Sequence, residues 1–248
     1  MTPAKLHRAA VAAALLILFA VQGAFAQLAD FPAKDGESLW ASSSLEEVLG
    51  GRYVVYGPEA LFDGDISSPW VEGADGSGVG ENVLILTQRP VEAIRIVNGF
   101  ASSPNLFSAN NRVKTLKASL VAGLTAPGMV SENDYVLYKV KETEFPDRFL
   151  LADAPGEQVF RMPLSEEEQY ALFLGAVEEF RGEEPFLFSM ICRDLGVDEE
   201  NTGLAHYAAE VVEFYGFFAV RLTIEAVYPG RLYDDTCIAE IGTDLGRF

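Results

Sequence analysis

The chain has 248 residues, of which 37 are acidic and 18 basic, so its formal net charge is −19. A surface this negative repels phosphate backbones and sulfated glycans, which excludes nucleic acid as a partner and leaves neutral ligands and cations such as calcium. With only two cysteines, Cys192 and Cys237, the fold is not built on disulfides.

The first 26 residues have the three-part pattern of a secretory signal peptide. A basic start with Lys5 and Arg8 precedes an apolar run, 9–21, and the small-x-small motif Ala24-Phe25-Ala26. The run is shorter than the roughly 20 residues that a membrane anchor needs. We therefore expect cleavage after Ala26 and export to the periplasm or cell exterior. The mature chain of 222 residues would carry a formal charge of −21 and no membrane span.

Residues 27–50 form a polar lead-in, and the next hundred residues have the pattern of short β-strands separated by turns. Many short strands at this spacing predict a sandwich or jelly roll. The strand-like runs are 83–86, 93–97, 113–121, 135–140, 148–151 and 158–162. The turn signals are Asp63-Gly64-Asp65, the Gly-rich segment 73–80, Asn98-Gly99, Pro127-Gly128 and Pro155-Gly156.

The pattern changes near residue 163, where apolar residues begin to recur at helical spacing. Ser165 followed by Glu168 is the capping-box pattern of a helix start. Apolar stripes follow within 170–177, 186–195 and 204–215, and we expect them to be packing faces.

Strand patterns return at 217–227 and 236–241. We therefore predict a mainly β fold: one jelly-roll β-sandwich domain over residues 27–248, interrupted by a helical insertion at about 163–216.

The sequence contains no complete signature of the enzyme classes that its residues suggest. His206 is the one histidine of the mature chain, so neither a zinc cluster nor a His-dependent catalytic triad is indicated. The segment 76–80 lacks the Lys-Ser/Thr of a phosphate-binding loop. Read as an EF-hand, Asp63-Gly64-Asp65 fails because Ser68 and Ala74 occupy the positions that need Gly and Glu. We expect that the protein is not an enzyme; a hydrolase that uses two carboxylates is the third-ranked alternative.

The chain resembles the NADase-type glycan-binding domains, a discoidin-like (galactose-binding-like) group of bacterial exported proteins. The matching segments occur in the same order, over about residues 40–161 and 217–241. They are 40–44 (WASSS), 61–65 (LFDGD), 68–73 (SPWVEG), 78–81 (GVGE), 94–100 (IRIVNGF), 110–114 (NNRVK), 228–230 (YPG) and 233–241 (YDDTCIAEI). The resemblance implies a sandwich that binds sugars or surfaces, without the NAD-cleaving site found in separate toxin domains.

The resemblance also implies candidate site residues. In discoidin-like sandwiches ligands bind at loops on one end, and a calcium ion often braces loops near the chain ends, which here points to Asp63, Asp65 and Glu240 as metal ligands. A sugar site needs an aromatic plate and planar polar groups. Suitable types in loops or at strand ends are Trp70, Asn98, Asn111, Arg112 and Tyr233.

Each of these residues also has a structural interpretation. Trp70 would plug the base of the sandwich, and Arg112 would form an ion pair with Glu81 or Glu72. Export would let Cys192 and Cys237 form a disulfide, but two buried free thiols explain them equally well.

The leading hypothesis is an exported, non-catalytic carbohydrate-binding protein with a neutral glycan as partner. It requires no cofactor, and a structural calcium ion is an open alternative to a simple polar turn at Asp63-Gly64-Asp65. A second hypothesis is an envelope assembly subunit that docks a protein partner through the helical insertion.

Overall fold

The computed structural model describes residues 28–34, 39–87, 89–198 and 208–243. The signal peptide predicted at 1–26 and the residue His206 lie outside this range. The strands are β1 (Ala29–Lys34), β2 (Leu39–Ala41), β3 (Glu46–Leu49), β4 (Arg52–Val55), β5 (Trp70–Val71), β6 (Asn82–Thr87), β7 (Ala93–Asn98), β8 (Asn111–Leu124), β9 (Tyr135–Leu150), β10 (Glu157–Arg161), β11 (Gly216–Tyr228) and β12 (Thr236–Thr243). The helices are α1 (Pro104–Ala109), α2 (Glu166–Glu183), α3 (Pro185–Leu195) and α4 (Ala208–Tyr215), with a 3-10 helix at Pro58–Phe62.

The strands form a β-sandwich, as the sequence predicted. One layer has the antiparallel order β2-β6-β11-β8-β9-β1 and the other has the order β10-β7-β12-β5. The layers join at the start of β12, where Thr236 pairs in parallel with Asn111 and Cys237 with Arg112. Strands β3 and β4 form a separate two-stranded hairpin.

Alternating side chains from both layers fill one core. In β7, Ile94 and Ile96 are fully buried, and they share a hydrophobic cluster with Leu116 of β8 and Ile238 of β12. Each such side chain contributes roughly 2–3 kcal/mol when it leaves water. The period of two along β7 therefore fixes which face of that strand meets the opposite layer.

The helical insertion extends the same core. A capping box at Ser165 and Glu168 starts α2, as the sequence predicted. Phe173 and Phe180 of α2 are fully buried, and the ring of Phe173 lies 5.4 Å from that of Phe218 in β11. The helices therefore cover the half of the large layer where β8 ends and β11 begins.

Some predicted boundaries are wrong. Strands β1, β2 and β3 lie in the segment expected to be a polar lead-in. The runs at 135–140 and 148–151 belong to one continuous strand, β9, which pairs with β8 across a register shift at Lys117. Gly216 begins β11 directly after α4. Among the helices described, none is long and apolar enough to cross a membrane.

Candidate functional site

Several loops meet at one end of the sandwich, which we call the loop end. Strand β8 begins there at Asn111, beside the residues that end β11, and β7 ends there at Asn98, paired with Ile238. The connections that share this end are 72–81, 99–110, 151–156 and 229–235. Strand β8 then runs 14 residues, about 40 Å, to the half covered by the helices. The insertion therefore does not lie over the loop end.

Arg112 ties three of these loops together. Its Nε and Nη2 donate to the two carboxylate oxygens of Asp153 at 3.0 and 2.9 Å. Its Nη1 donates to the carbonyl oxygens of Asn110 and Pro229, and its guanidinium lies 5.4 Å from the ring centre of Phe107. The side chain is 9% exposed, so its donors are used within the protein. Arg112 is thus a structural clamp, and its partner is Asp153 instead of the predicted Glu81 or Glu72.

Gly99 makes room for this clamp. Its φ of +72° is one that other residues rarely adopt, and an added Cβ would lie 2.6 Å from Cγ of Arg112. The Asn98-Gly99 turn signal therefore reflects both the turn and the close approach of the arginine.

The two candidate asparagines are also used within the fold. Asn98 is fully buried and exchanges two hydrogen bonds with the backbone of Val113. Asn111 donates to the carbonyl oxygen of Asp234 at 2.6 Å and accepts from the amide of Gly230 at 2.6 Å. Because both amide groups are buried and satisfied, neither side chain is placed to bind a sugar directly.

Trp70 is buried as well, with an exposed fraction of 1%. Its indole Nε1 donates to the carbonyl oxygen of Ser43 at 3.0 Å. A ring enclosed on both faces cannot stack on a ligand, so the prediction of Trp70 as an aromatic plate is wrong. Trp70 is a core residue, in line with the structural interpretation.

Tyr233 is the one predicted sugar-binding side chain that reaches solvent. It is 52% exposed, and its neighbour Leu232 is 77% exposed. The loop that carries them is fixed by its backbone: the amides of Leu232 and Tyr233 both donate to the carbonyl oxygen of Ala109 at 3.0 Å, and the amide of Arg231 donates to that of Ser108. The loop end thus presents an aromatic and an aliphatic side chain from a rigid support.

The Gly-rich loop 73–80 is folded around a buried carboxylate. Glu72 is fully buried and accepts from the amides of Ala74 and Thr236. Burial raises the pKa of Glu72, and the nearby Asp235 and Glu81 raise it further against the opposing effect of the two amides. The hydroxyl of Thr236 donates to the carbonyl oxygen of Ser77 at 2.8 Å, which closes the loop over this carboxylate.

The three predicted metal ligands are neighbours but do not form a ligand set. The amide of Gly64 donates to Oε1 of Glu240 at 3.2 Å, which brings Glu240 to the turn that carries Asp63 and Asp65. Asp63 accepts from the amide of Asp65 and from the hydroxyl of Ser68, at 2.6 and 2.8 Å. Hydrogen bonds from Ser67 lower the pKa of Asp65. Within the described part of the chain, no three His, Cys, Asp or Glu side chains are grouped as for a metal ion.

Cys192 and Cys237 are not joined by a disulfide, which was one of the two interpretations left open by the sequence. Cys192 lies in α3 within the hydrophobic core, whereas Cys237 lies near the start of β12, paired with Arg112 at the loop end. Burial raises the pKa of the Cys237 thiol, which keeps it protonated and unreactive. The structure therefore agrees with the other interpretation, in which both thiols are buried and unbridged.

The described part of the helical insertion packs apolar side chains into the core. Phe188 and Ile191 of α3 and Val211 and Val212 of α4 are buried, so these four side chains offer no surface to a partner. Beside α3 a shallow cavity is lined by Pro127, Met190, Arg193 and Asp194. It contains one carboxylate, that of Asp194, which accepts a hydrogen bond from the hydroxyl of Tyr215. A pair of catalytic acids is not present in this cavity.

Two residues of the loop end, Asp153 and Leu232, were not predicted from the sequence. Asp153 lies 41 positions from Arg112, and nothing in its sequence context marks it as the partner. Leu232 is an aliphatic residue, a type that is usually buried. The one sequence signal for its exposure is its position next to Tyr233, in the short loop that begins with Pro229-Gly230.

Residues 34–144 match the family model described as the NAD glycohydrolase translocation F5/8 type C domain. No curated protein matches the chain. The matched range runs from the end of β1 into β9 and includes Trp70, Asn98, Asn111 and Arg112. The sandwich fold agrees with this match, and residues 34–144 are thus similar to the discoidin-like F5/8 type C domain of the NAD glycohydrolase translocation family.

Proposed function

We propose that this protein is an exported, non-catalytic glycan-binding protein that holds its ligand at the loop end. The observation that carries the proposal is the exposed pair Leu232 and Tyr233 on a loop whose backbone is fixed by Ala109 and Ser108. The similarity of residues 34–144 to a discoidin-like family supports it, because ligands of such sandwiches bind at loops on one end. The word translocation in the family description is compatible with an exported protein.

The ring of Tyr233 would stack on the C–H face of a sugar, as aromatic side chains do in carbohydrate sites. Arg231 and Asp234 flank Leu232 and Tyr233 in the loop, and both are exposed. A guanidinium donates and a carboxylate accepts, so together they match the paired hydroxyls of a sugar ring. Arg112 and Asn111 act behind this surface, because they hold the loop without reaching the ligand.

The charge of the chain selects the kind of glycan. With a formal net charge of −19, the protein repels sulfated and other polyanionic sugars. Neutral glycans carry no such penalty. We therefore propose that the ligands are neutral sugars. Because a structural calcium ion is compatible with the proposal, binding is measured both with and without calcium.

The experiment is a screen on a neutral and acidic glycan array, followed by calorimetric titration of the mature protein with and without calcium. The Tyr233→Ala variant should bind about tenfold more weakly, because losing a stacked aromatic contact worth about 1.4 kcal/mol changes affinity by that factor. Phe186→Ala is the matched control, since Phe186 is 72% exposed on α3, far from the loop end. Absence of sugar binding in both calcium conditions would remove the proposal.

The alternative of a partner that docks on the helical insertion has two supporting residues. Phe186 of α3 and Phe214 of α4 are 72% and 62% exposed. The buried stripes of the same helices weaken this alternative, since a docking surface needs a continuous apolar patch.

A further inference from the structure

The hairpin of β3 and β4 stands apart from both layers of the sandwich. Its turn, Gly50-Gly51, has φ values of +58° and +81°, which fits a two-residue type I′ turn. The hairpin forms its own two-stranded sheet, and among the described strands no third strand pairs with it.

This hairpin exposes an unusual amount of apolar surface. Val48 lies directly opposite Tyr53, and they are 70% and 65% exposed. Val55, two residues along β4 on the same face, is 48% exposed, and Leu49 on the other face is also 48% exposed. Half of its eight strand residues are therefore large apolar side chains in contact with water, which costs solvation free energy unless something covers them.

The edge of β3 is open to a further strand. A two-residue turn makes Leu49 and Arg52 a hydrogen-bonded pair, so the backbone groups of Glu46 and Val48 point outward from the hairpin. Natural sheets protect exposed edges with Lys, Pro or bulges. The hairpin has neither Lys nor Pro between residues 46 and 55, and its register is regular.

The base of the hairpin is held firmly. The amide of Leu45 donates to the carbonyl oxygen of Val71 at 2.8 Å, and that of Tyr56 donates to Leu45 at 3.0 Å. The ring of Tyr56 lies 6.3 Å from that of Phe100 in a loop of the loop end. An edge fixed in this way loses little conformational entropy when a partner binds.

The charge of the hairpin and of the whole chain indicates which kind of partner could bind at the β3 edge. β3 contains Glu46 and Glu47, and the chain as a whole has a net charge of −19, so a second copy and an anionic lipid surface are both repelled. A single hairpin is also too small for the roughly 1,200 Å² that a stable dimer buries. A positively charged, extended segment has the complementary charge, and its backbone N–H and C=O groups can form hydrogen bonds with the outward-pointing groups of Glu46 and Val48.

We propose that the β3 edge is a docking site for a protein partner, which adds an extended segment of alternating basic and apolar residues as a third strand. Backbone hydrogen bonds to Glu46 and Val48 give register. The basic residues on one face of the added strand pair with Glu47, and its apolar residues on the other face cover Val48.

The test uses a peptide of four valine-lysine repeats as the probe, with a valine-glutamate peptide of equal length as its control. Binding to the mature protein is measured by fluorescence anisotropy at low salt, and amide hydrogen exchange is followed by NMR. We expect the basic peptide to bind at least about tenfold more tightly than the acidic one, and the amides of Glu46 and Val48 to exchange at least about tenfold more slowly in its presence.

Val48→Lys should abolish this binding, because it places a positive charge at the centre of the edge. Val159→Lys is the matched control, since Val159 is 60% exposed on the edge strand β10. Equal binding of both peptides, no binding at all, or binding that survives Val48→Lys would overturn the proposal. The proposal would also be overturned if Val48→Lys changed only the self-association of the protein, or only its partitioning onto phosphatidylcholine vesicles.

Discussion

Arg112 illustrates how much of a residue's location and role can be predicted from residue type and sequence context alone. Its place in the Asn110–Lys114 segment made it a candidate ligand-binding residue, and the structure places it among the loops of the loop end. Its role differs from the prediction because the choice of partner depends on the meeting of loops that are distant in sequence. Asp153 reaches Arg112 only after β8 and β9 have paired, which no local pattern encodes.

The clamp predicts an asymmetric loss of stability at this residue pair. Arg112→Ala leaves the carbonyl oxygens of Asn110 and Pro229 without their donor, so we expect a loss of about 2–3 kcal/mol in the free energy of unfolding. Asp153→Ala should cost only about 1 kcal/mol, because the Asp153 side chain is 41% exposed and water replaces it.

Urea unfolding followed by fluorescence measures both variants of the clamp. The exposed Arg161 supplies a control, and Arg161→Ala should change the midpoint little. Equal losses for Arg112→Ala and Asp153→Ala would show that the ion pair alone, without the carbonyl contacts, accounts for the clamp.

At the scale of elements, strands that alternate regularly were predictable and segments that depend on distant pairing were not. β7 was predicted nearly residue for residue because its period of two is complete. β1 contains Asp30, Pro32 and Lys34, a composition that resembles a loop, and it becomes a strand through pairing with β9. Tertiary context therefore overrides propensity in the segment that was expected to be a lead-in.

One hydrogen bond links two helices of the insertion and gives a pH prediction. The hydroxyl of Tyr215 in α4 donates to Asp194 in α3, and burial, with this carboxylate, raises the pKa of Tyr215 to about 12. Because the folded pKa lies above the ordinary value of 10.0, the stabilisation is complete below pH 10 and is lost as the pH rises through about 12. The loss should amount to about 2–3 kcal/mol.

Thermal or urea unfolding between pH 9 and about pH 12 checks this prediction. Tyr215→Phe should start less stable and show a smaller fall over that range than the wild-type protein. Tyr233→Phe, which alters an exposed tyrosine, should retain the wild-type fall. If Tyr215→Phe and the wild-type protein fall in parallel, the link between α3 and α4 does not titrate as described.

For the whole molecule, the architecture was more predictable than the site. The mainly β sandwich and the late helical insertion follow from patterns that extend over many residues, and the structure confirms both. Of the proposed sugar contacts, Tyr233 alone is exposed, because Trp70, Asn98, Asn111 and Arg112 are buried by the meeting of loops. Residue type indicates which side chains could bind a sugar, whereas burial, which only the fold decides, selects among them.

The last prediction concerns where the whole molecule works. When the full chain is produced in a bacterial host with a secretory pathway, the exported protein should begin at Gln27, as read by intact mass and N-terminal sequencing. The reason is the basic start, the apolar run and the small-x-small motif that end at Ala26. Ala24→Leu places a large side chain in that motif and should leave the leader uncleaved, whereas Ala13→Leu keeps the run apolar and should be processed normally. An exported protein that still carries residues 1–26, or equal processing of both variants, would contradict the prediction, and retention in the cytoplasm would also deny the loop end any access to an external glycan.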